Sequence, residues 1–111
     1  MKTIFEKIID GELPSEKVFE NERILAIKDI APIAPVHLLI IAKKVIPSIQ
    51  HMKEEDFPLL GEIVSVAQKL AKQFNIEEGY RLLTNNGTSS GQTIFHLHFH
   101  LIGGRPLGLM G

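Results

Sequence analysis

The stretch Thr93-Ile94-Phe95-His96-Leu97-His98-Phe99-His100-Leu101-Ile102 decides the fold, because polar and apolar side chains alternate along it. Successive side chains of an extended strand point to opposite faces of a sheet. The histidines are therefore predicted to share one face: His96, His98 and His100. The apolar residues between them are predicted to share the other face: Phe95, Leu97, Phe99 and Leu101. We expect a strand with one face in the core and a row of imidazoles on its reverse.

Charge repulsion limits how many rings in this row can be protonated together. Neighbouring rings lie about 7 Å apart. At an effective dielectric constant near 20, two positive charges at that distance repel by about 2 kcal/mol, or about 1.5 pK units. Because imidazole titrates near 6.5, at least one ring should be neutral at pH 7. A neutral ring can attack, accept a proton or bind a metal ion, and three histidines on one face indicate a chemical function.

Length and composition are typical of one compact domain spanning residues 1–111. The chain has 111 residues, of which 44% are hydrophobic, enough to bury well over half of its unfolded surface. Its 12 basic and 13 acidic residues are spread along the sequence and give a net charge of −1. This balance argues against a nucleic acid as the main partner, although it allows a single nucleotide.

Cysteine usage and hydropathy bear on the compartment. The chain contains no cysteine, which excludes disulfides, thiolate zinc sites and a cysteine nucleophile. Residues 1–7 lack the apolar run of a signal peptide, and no segment approaches the length of a membrane span. We therefore expect a soluble, cytoplasmic protein with no membrane partner.

Hydrophobic periodicity predicts two helices and five strands. Thr3-Ile4-Phe5-Glu6 has the form of a capping box, so a short helix is expected before Gly11. Helical spacing of apolar residues predicts a long second helix from about Glu54 to Phe74. Strands are predicted at 17–20, 23–30, 37–42, 79–84 and in the histidine run. The fold class is α+β, with a mostly antiparallel sheet of about five strands, one short N-terminal helix and one long central helix.

The apolar arc of the long helix is wider than contact with one sheet face requires. It comprises two adjacent stripes: Leu60, Val64, Ala67, Ala71 and Phe74, and beside them Leu59, Ile63, Val66 and Leu70. Either the helix is nearly buried within one chain, or part of the arc meets a second subunit.

A polar loop, Asn85-Asn86-Gly87-Thr88-Ser89-Ser90-Gly91-Gln92, leads directly into the histidine run. Its small residues allow backbone N–H groups to turn toward an anion, and its side chains add further donors. Such loops are mostly plain turns, but this one joins a set of imidazoles. Donors next to a nucleophile and a base are what phosphoryl-group chemistry requires. The chain has no P-loop and no dense acidic cluster for magnesium, and histidine nucleophiles need neither.

Several segments carry a family resemblance. His96-Leu97-His98-Phe99-His100-Leu101-Ile102 resembles the signature His-φ-His-φ-His-φ-φ of the histidine triad superfamily, where φ is apolar. The likeness continues through Ile4-Phe5-x-Lys7-Ile8-Ile9, Asp29-Ile30-x-Pro32-x-Ala34-Pro35-x-His37, Gly79-Tyr80-Arg81, Gly91-Gln92 and Gly103-Gly104-Arg105-Pro106-Leu107-Gly108. The chain is similar to the bacterial Hint branch, whose members are homodimeric purine nucleoside phosphoramidases. The resemblance implies purine nucleotide substrates and a homodimer, with no cofactor and no metal.

The resemblance also implies a role for each matching residue. His98 would be the nucleophile that forms a nucleotidyl-histidine intermediate, and His100 would contact the phosphate and the leaving-group side. His96 would support the triad, and His37 would hydrogen-bond near it. The phosphate contacts would come from Asn85, Gly91 and Thr93, and Gln92 would also belong to the nucleotide-binding set. Asp29 would bind the ribose hydroxyls, and apolar residues would line the base pocket: Ile4, Phe5, Ile8, Ile27 and Ile30.

Three alternatives stay open from the sequence. The dinucleoside polyphosphate hydrolases of the same superfamily would use the same strand with a different leaving group. His-x-His pairs are also zinc ligands, so three ring nitrogens could form an open metal site. The chain could instead be a nucleotide-binding regulator in which hydrolysis is incidental. Of the remaining polar residues, Arg105 could steer an anionic substrate or be merely solvated, and His51 is expected at the surface without a role.

Overall fold

The computed structural model describes residues 1–110, which form two helices, three short 3-10 turns and one five-stranded sheet. The strands are β1 (Lys17–Glu20), β2 (Ile24–Lys28), β3 (Val36–Ala42), β4 (Tyr80–Leu83) and β5 (His98–Gly103). The helices are α1 (Ile4–Ile9) and α2 (Phe57–Gln73). The strand order is β1-β2-β3-β5-β4, and every neighbouring pair is antiparallel. The predicted α+β class and element order are confirmed.

Helix α1 begins at the predicted capping box. Glu6 N donates to Thr3 Oγ1 at 3.2 Å, and Thr3 N donates to Glu6 Oε1 at 3.1 Å. These reciprocal bonds satisfy two amides that would otherwise lack partners at the helix start. The helix turns Phe5 and Ile8 onto the sheet, where they pack with alternate residues of β2 and β3: Leu25, Ile27, Leu39 and Ile41.

Helix α2 covers the opposite face of the sheet. Its buried stripe includes Ile63, Val66 and Leu70, which pack against the other set of alternate strand residues: Ile24, Ala26, Leu38, Ile40 and Leu101. Strand β3 therefore has helices on both faces, which explains its nearly continuous apolar sequence. The wide apolar arc is not fully buried within one chain, because Val64 remains 46% exposed. Phe57, which precedes the arc at the start of α2, is also 53% exposed.

The histidine strand is shorter than predicted. Strand β5 begins at His98, so the prediction that His96 stands in the same strand is wrong. Its partner β3 ends at Ala42, so the ladder stops there. Leu97, the residue before β5, makes two isolated backbone hydrogen bonds: its N–H donates to Ile46 O, and its carbonyl accepts from Ala42 N. Phe95, predicted in the core, lies outside the ladder and is 46% exposed.

The alternation nevertheless holds within β5. In the register of β3 and β5, Ile41 lies opposite His98 and Leu39 lies opposite His100, all on the α1 face. Phe99 and Leu101 pack in the cluster on the α2 face. None of the helices within residues 1–110 is long and apolar enough to cross a membrane.

Candidate active site

A cleft of about 320 Å³ opens between α1, the end of β2 and the loop that precedes β5. Fifteen residues line it: Ile4, Phe5, Ile8, Ile27, Lys28, Asp29, Ile30, Leu39, Asn85, Gly91, Gln92, Thr93, Ile94, His98 and His100. The structure thus brings together all twelve residues that the sequence pointed to as nucleotide-binding. His37 and His96, by contrast, lie behind the lining and are buried.

Three lining residues were missed by sequence reasoning: Lys28, Leu39 and Ile94. Leu39 pairs with His100 across the sheet, so its position depends on the register of β3 against β5. Ile94 packs against the apolar cluster under α1. Both positions depend on contacts between segments that are distant in the sequence, so the residues around Leu39 and Ile94 did not indicate the cleft.

His98 presents an unprotonated nitrogen to the cleft. Its Nδ1 lies 2.6 Å from the carbonyl oxygen of His96. A carbonyl only accepts, so Nδ1 carries the hydrogen and Nε2 keeps its lone pair. The ring packs edge-on against Phe5, with ring centroids 4.8 Å apart. Burial, with a smaller contribution from the charge of a protonated His96, lowers the pKa of His98 below 6.5, so the ring is neutral at pH 7.

A chain of hydrogen bonds gives His100 the opposite tautomer to His98. Ile33 N donates to His37 Nδ1 at 3.2 Å, so His37 carries its hydrogen on Nε2. That N–H points to His100 Nδ1 at 2.9 Å and lies 3.3 Å from Asp29 Oδ2. His100 therefore accepts at Nδ1 and carries its own hydrogen on Nε2.

His100 is neutral at pH 7 for two reasons. Burial is the larger cause, and the positive charge that His98 and His37 would carry when protonated adds to it. Together they lower the pKa of His100 to about 4. The cleft thus holds two neutral imidazoles, with one acceptor nitrogen on His98 and one donor N–H on His100.

His96 supports this arrangement from the core. Its ring is fully buried, and its Nε2 donates to the carbonyl oxygen of Ala42. Its Nδ1 has no hydrogen-bond partner among residues 1–110. The ring also lies edge-on to Phe5, with centroids 6.2 Å apart. Because the His96 ring is fixed in the core, the backbone carbonyl of His96 is also held in place. This carbonyl accepts from His98 Nδ1 and so determines the His98 tautomer.

The loop residues divide into exposed and clamped groups. Gly91 adopts φ +103° and, like Thr93, is exposed at the cleft. Gln92 is buried, and its amide clamps the loop by donating to Pro47 O at 2.8 Å and accepting from Gly87 N at 2.8 Å. Its side chain is thereby committed to holding the loop. The backbone amides of Gly87, Ser90, Gly91 and Gln92 also donate within the loop, so the exposed Thr93 hydroxyl is a group left to face a ligand.

Metal-ligating atoms gather at one point among the described residues, but not along the histidine row. Side-chain atoms of Asp29, His37 and His100 lie within 4.8 Å of one another. The rings of His96 and His98 each use one nitrogen on a backbone carbonyl. The zinc alternative required three ring nitrogens from His96, His98 and His100. It therefore does not match the three residues whose ligand atoms converge, Asp29, His37 and His100.

A second groove, of about 460 Å³, lies beside the start of α2 and is larger than the cleft. Several of its charged residues pair with one another: Lys44 pairs with Asp56 at 2.5 Å and Arg23 with Glu62 at 2.9 Å. It holds no histidine. The cleft with the unpaired acceptor of His98 is therefore the better candidate for an active site.

A sheet that carries paired histidines beside a small-residue loop defines the class of histidine triad domains. The chain matches the HIT domain over residues 10–107, and it belongs to that family. It is 55% identical to a HIT-like protein from Chlamydia pneumoniae over 96% of each chain. It is 46% identical to the purine nucleoside phosphoramidase of Escherichia coli K12, covering 98% of this chain and 92% of that one.

Solved structures agree with the fold. A HIT family hydrolase from Clostridium thermocellum superposes with a TM-score of 0.94 at 47% identity, over 98% of this chain and 96% of that one. A HIT family hydrolase from Legionella pneumophila gives the same TM-score at 45% identity, over 96% of each chain. The five-stranded sheet with one short and one long helix is therefore the fold of this family.

Proposed function

We propose that this protein is a hydrolase that cleaves the P–N bond of purine nucleoside 5′-phosphoramidates, such as adenosine 5′-phosphoramidate or aminoacyl adenylates. One observation carries the proposal: the His98 Nδ1–H is held by a carbonyl, so that Nε2 offers its lone pair inside the cleft. The name of the Escherichia coli relative, purine nucleoside phosphoramidase, supports the substrate class.

In the first step, His98 Nε2 attacks the phosphorus atom and the P–N bond breaks. The bond electrons leave with the nitrogen, which takes up a proton and departs as the free amine. Because the pKa of His100 is lowered to about 4, its ring acts as a neutral donor, and the proton comes from solvent. The His100 Nε2–H stabilises negative charge on the phosphoryl oxygens during transfer.

In the second step, water attacks the phosphorus of the nucleotidyl-histidine. The bond from phosphorus to His98 Nε2 breaks, and its electron pair returns to the ring. Water loses a proton to solvent, and the nucleoside monophosphate leaves. Throughout, the His96 carbonyl accepts from His98 Nδ1–H and stabilises the positive charge that the ring carries while bonded to phosphorus.

Nucleotide binding follows from the rest of the lining. Asp29 lies half-buried at the cleft, and its carboxylate accepts from Ala31 N at 2.8 Å, with capacity left for ribose hydroxyls. Phe5, Ile8 and Ile27 form an apolar wall for a purine base, with Ile4 and Ile30 at its exposed rim. Asn85, Gly91 and Thr93 would contact the phosphate, because they line the same cleft as His98 and His100.

The test is early-quench intact mass spectrometry after mixing with adenosine 5′-phosphoramidate. Wild-type protein should gain one adenylyl group, and His98→Ala should lose both the adduct and turnover by several orders of magnitude while still binding AMP. His51→Ala is the matched control, because His51 bonds to Ser48 outside the cleft. Wild-type turnover in His98→Ala would contradict the proposal, and an adduct that survives there would place the nucleophile elsewhere. Slower cleavage of the phosphoramidate than of a diadenosine polyphosphate would favour the other branch of the superfamily.

We also propose that the protein is a homodimer. Helix α2 leaves Phe57 and Val64 exposed, and Tyr80 lies 37% exposed on β4, which ends the sheet order. Exposed apolar side chains and a free sheet edge both favour association with a second copy. Analytical ultracentrifugation should show a dimer that Val64→Glu weakens, whereas a wild-type monomer at micromolar concentration would contradict this proposal.

A further inference from the structure

We propose that Arg105 is a positioning residue that holds the imidazole of His100 through Ile33 and His37. Arg105 Nη2 donates to Ile33 O at 2.9 Å, and Ile33 N donates to His37 Nδ1 at 3.2 Å. His37 Nε2 then donates to His100 Nδ1 at 2.9 Å. Three hydrogen bonds thus connect an exposed arginine near the C-terminus to the donor that faces the cleft.

Two glycines bring Arg105 to this position. Gly103 ends β5 opposite Val36, and a Cβ there would lie 3.0 Å from the Ile76 side chain and 3.1 Å from Gly79 O. Gly104 adopts φ +95°, which side chains rarely tolerate, and a Cβ there would lie 2.9 Å from Pro35 Cβ. The close approach and the left-handed turn direct the next residue, Arg105, back over the segment between β2 and β3.

That segment receives external contacts at Ile33 in addition to the bonds at its start, from Ala31 N to Asp29 Oδ1 and from Asp29 N to His37 O. Its two prolines, Pro32 and Pro35, lack N–H groups, so the segment cannot form a regular ladder. The Ile33 side chain is 61% exposed and contributes little burial. The Ile33 backbone is instead held on both sides, by Arg105 at its carbonyl and by His37 at its amide.

Arg105 can hold the Ile33 backbone because its charged guanidinium donates to carbonyl oxygens. Its guanidinium also donates to Pro106 O at 2.8 Å, and it forms no ion pair with a carboxylate within residues 1–110. Hydrogen bonds from a charged donor are stronger than neutral ones. The side chain therefore ties the tail after β5 to the segment that determines which nitrogen of His37 carries hydrogen.

The kinetic consequence rests on the proposed function. If Arg105 is lost, the Ile33 amide is freer to move and His37 can exchange its hydrogen between the two nitrogens. His100 then presents its Nε2–H to the phosphoryl group for only part of the time. Because that donor acts mainly in the transition state, kcat should fall while KM changes little.

The experiment compares Arg105→Ala and Arg105→Lys with the control Arg81→Ala, which also loses an arginine bond to a backbone carbonyl, that of Gly108. Ring nitrogen NMR reports the tautomers of His37 and His100, and adenosine 5′-phosphoramidate serves as substrate. We expect Arg105→Ala to mix the tautomers and to lower kcat about three- to tenfold, with partial recovery in the lysine variant. Arg81→Ala should keep wild-type values in both measurements.

A second pair of variants tests the middle of the chain. Ile33→Pro removes the amide that donates to His37, whereas Ile33→Ala keeps it, and only the proline variant should mix the tautomers. Unchanged ring tautomers in Arg105→Ala, or an equal loss of kcat in Arg81→Ala, would overturn the proposal. If the wild-type protein does not cleave phosphoramidates, the proposed function fails, but the NMR comparison still decides the role of Arg105.

Discussion

Acidification should destabilise this protein through His100. In the folded state, burial and the neighbouring His98 and His37 rings lower the pKa of His100 from 6.5 to about 4. The unfolded chain exposes the ring to water, which returns its pKa to about 6.5. The unfolded state therefore binds the proton more tightly. The contribution of neutral His100 to the free energy of unfolding is complete above pH 6.5. It is lost progressively as the pH falls toward 4.

The size of the effect follows from the two pKa values. At about pH 5, a shift from 6.5 to about 4 corresponds to about 2 kcal/mol of unfolding free energy. The His100 ring is only partly buried, so water screens part of this difference. We therefore expect His100 to account for about 1 kcal/mol of the stability lost between about pH 7.5 and pH 5.

Urea denaturation at the two pH values, at one fixed protein concentration, measures this loss. Other titrating groups contribute to both proteins, so the wild type is compared with His100→Gln, which cannot titrate. The wild type should lose about 1 kcal/mol more than His100→Gln, and His51→Gln should behave as the wild type. An equal pH dependence in wild type and His100→Gln would refute the assignment of a depressed pKa to the folded His100.

Three further outcomes are expected. Burial lowers the pKa of His98 below 6.5, and only the neutral ring attacks, so the acid limb of the kcat/KM profile should have its midpoint below pH 6.5. A midpoint above pH 6.5 would contradict the assignment of His98 as the nucleophile. Gly104→Ala should lower the unfolding free energy by about 1–3 kcal/mol in thermal or urea melts, whereas Gly108→Ala, which meets no atom within 4 Å, should not. Thr93→Val should weaken AMP binding about tenfold by calorimetry while Thr93→Ser should not, since only valine lacks the hydroxyl; equal affinities would remove Thr93 from the phosphate site.

Local pattern predicted much of the fold. The capping box at Thr3 and Glu6, the helical spacing of α2 and the apolar run of β3 each depend on neighbours a few residues apart, and each was recovered. Alternation along β5 likewise placed His98 and His100 on one face, because strand geometry has a period of two. The length of that strand was not recovered, because it depends on where its distant partner β3 ends.

The sequence by itself determined which residues are available for chemistry: imidazoles at alternate positions, a donor-rich loop before them and apolar residues for a pocket. The tertiary structure alone decided how these residues work together. It brought His37 within hydrogen-bond distance of His100, which is 63 positions away in the sequence. It also placed the His96 carbonyl where it accepts a hydrogen bond from His98 Nδ1. The physical reason is that a tautomer depends on which donor or acceptor reaches each ring nitrogen, and only folding brings those partners within 3 Å or so of the rings.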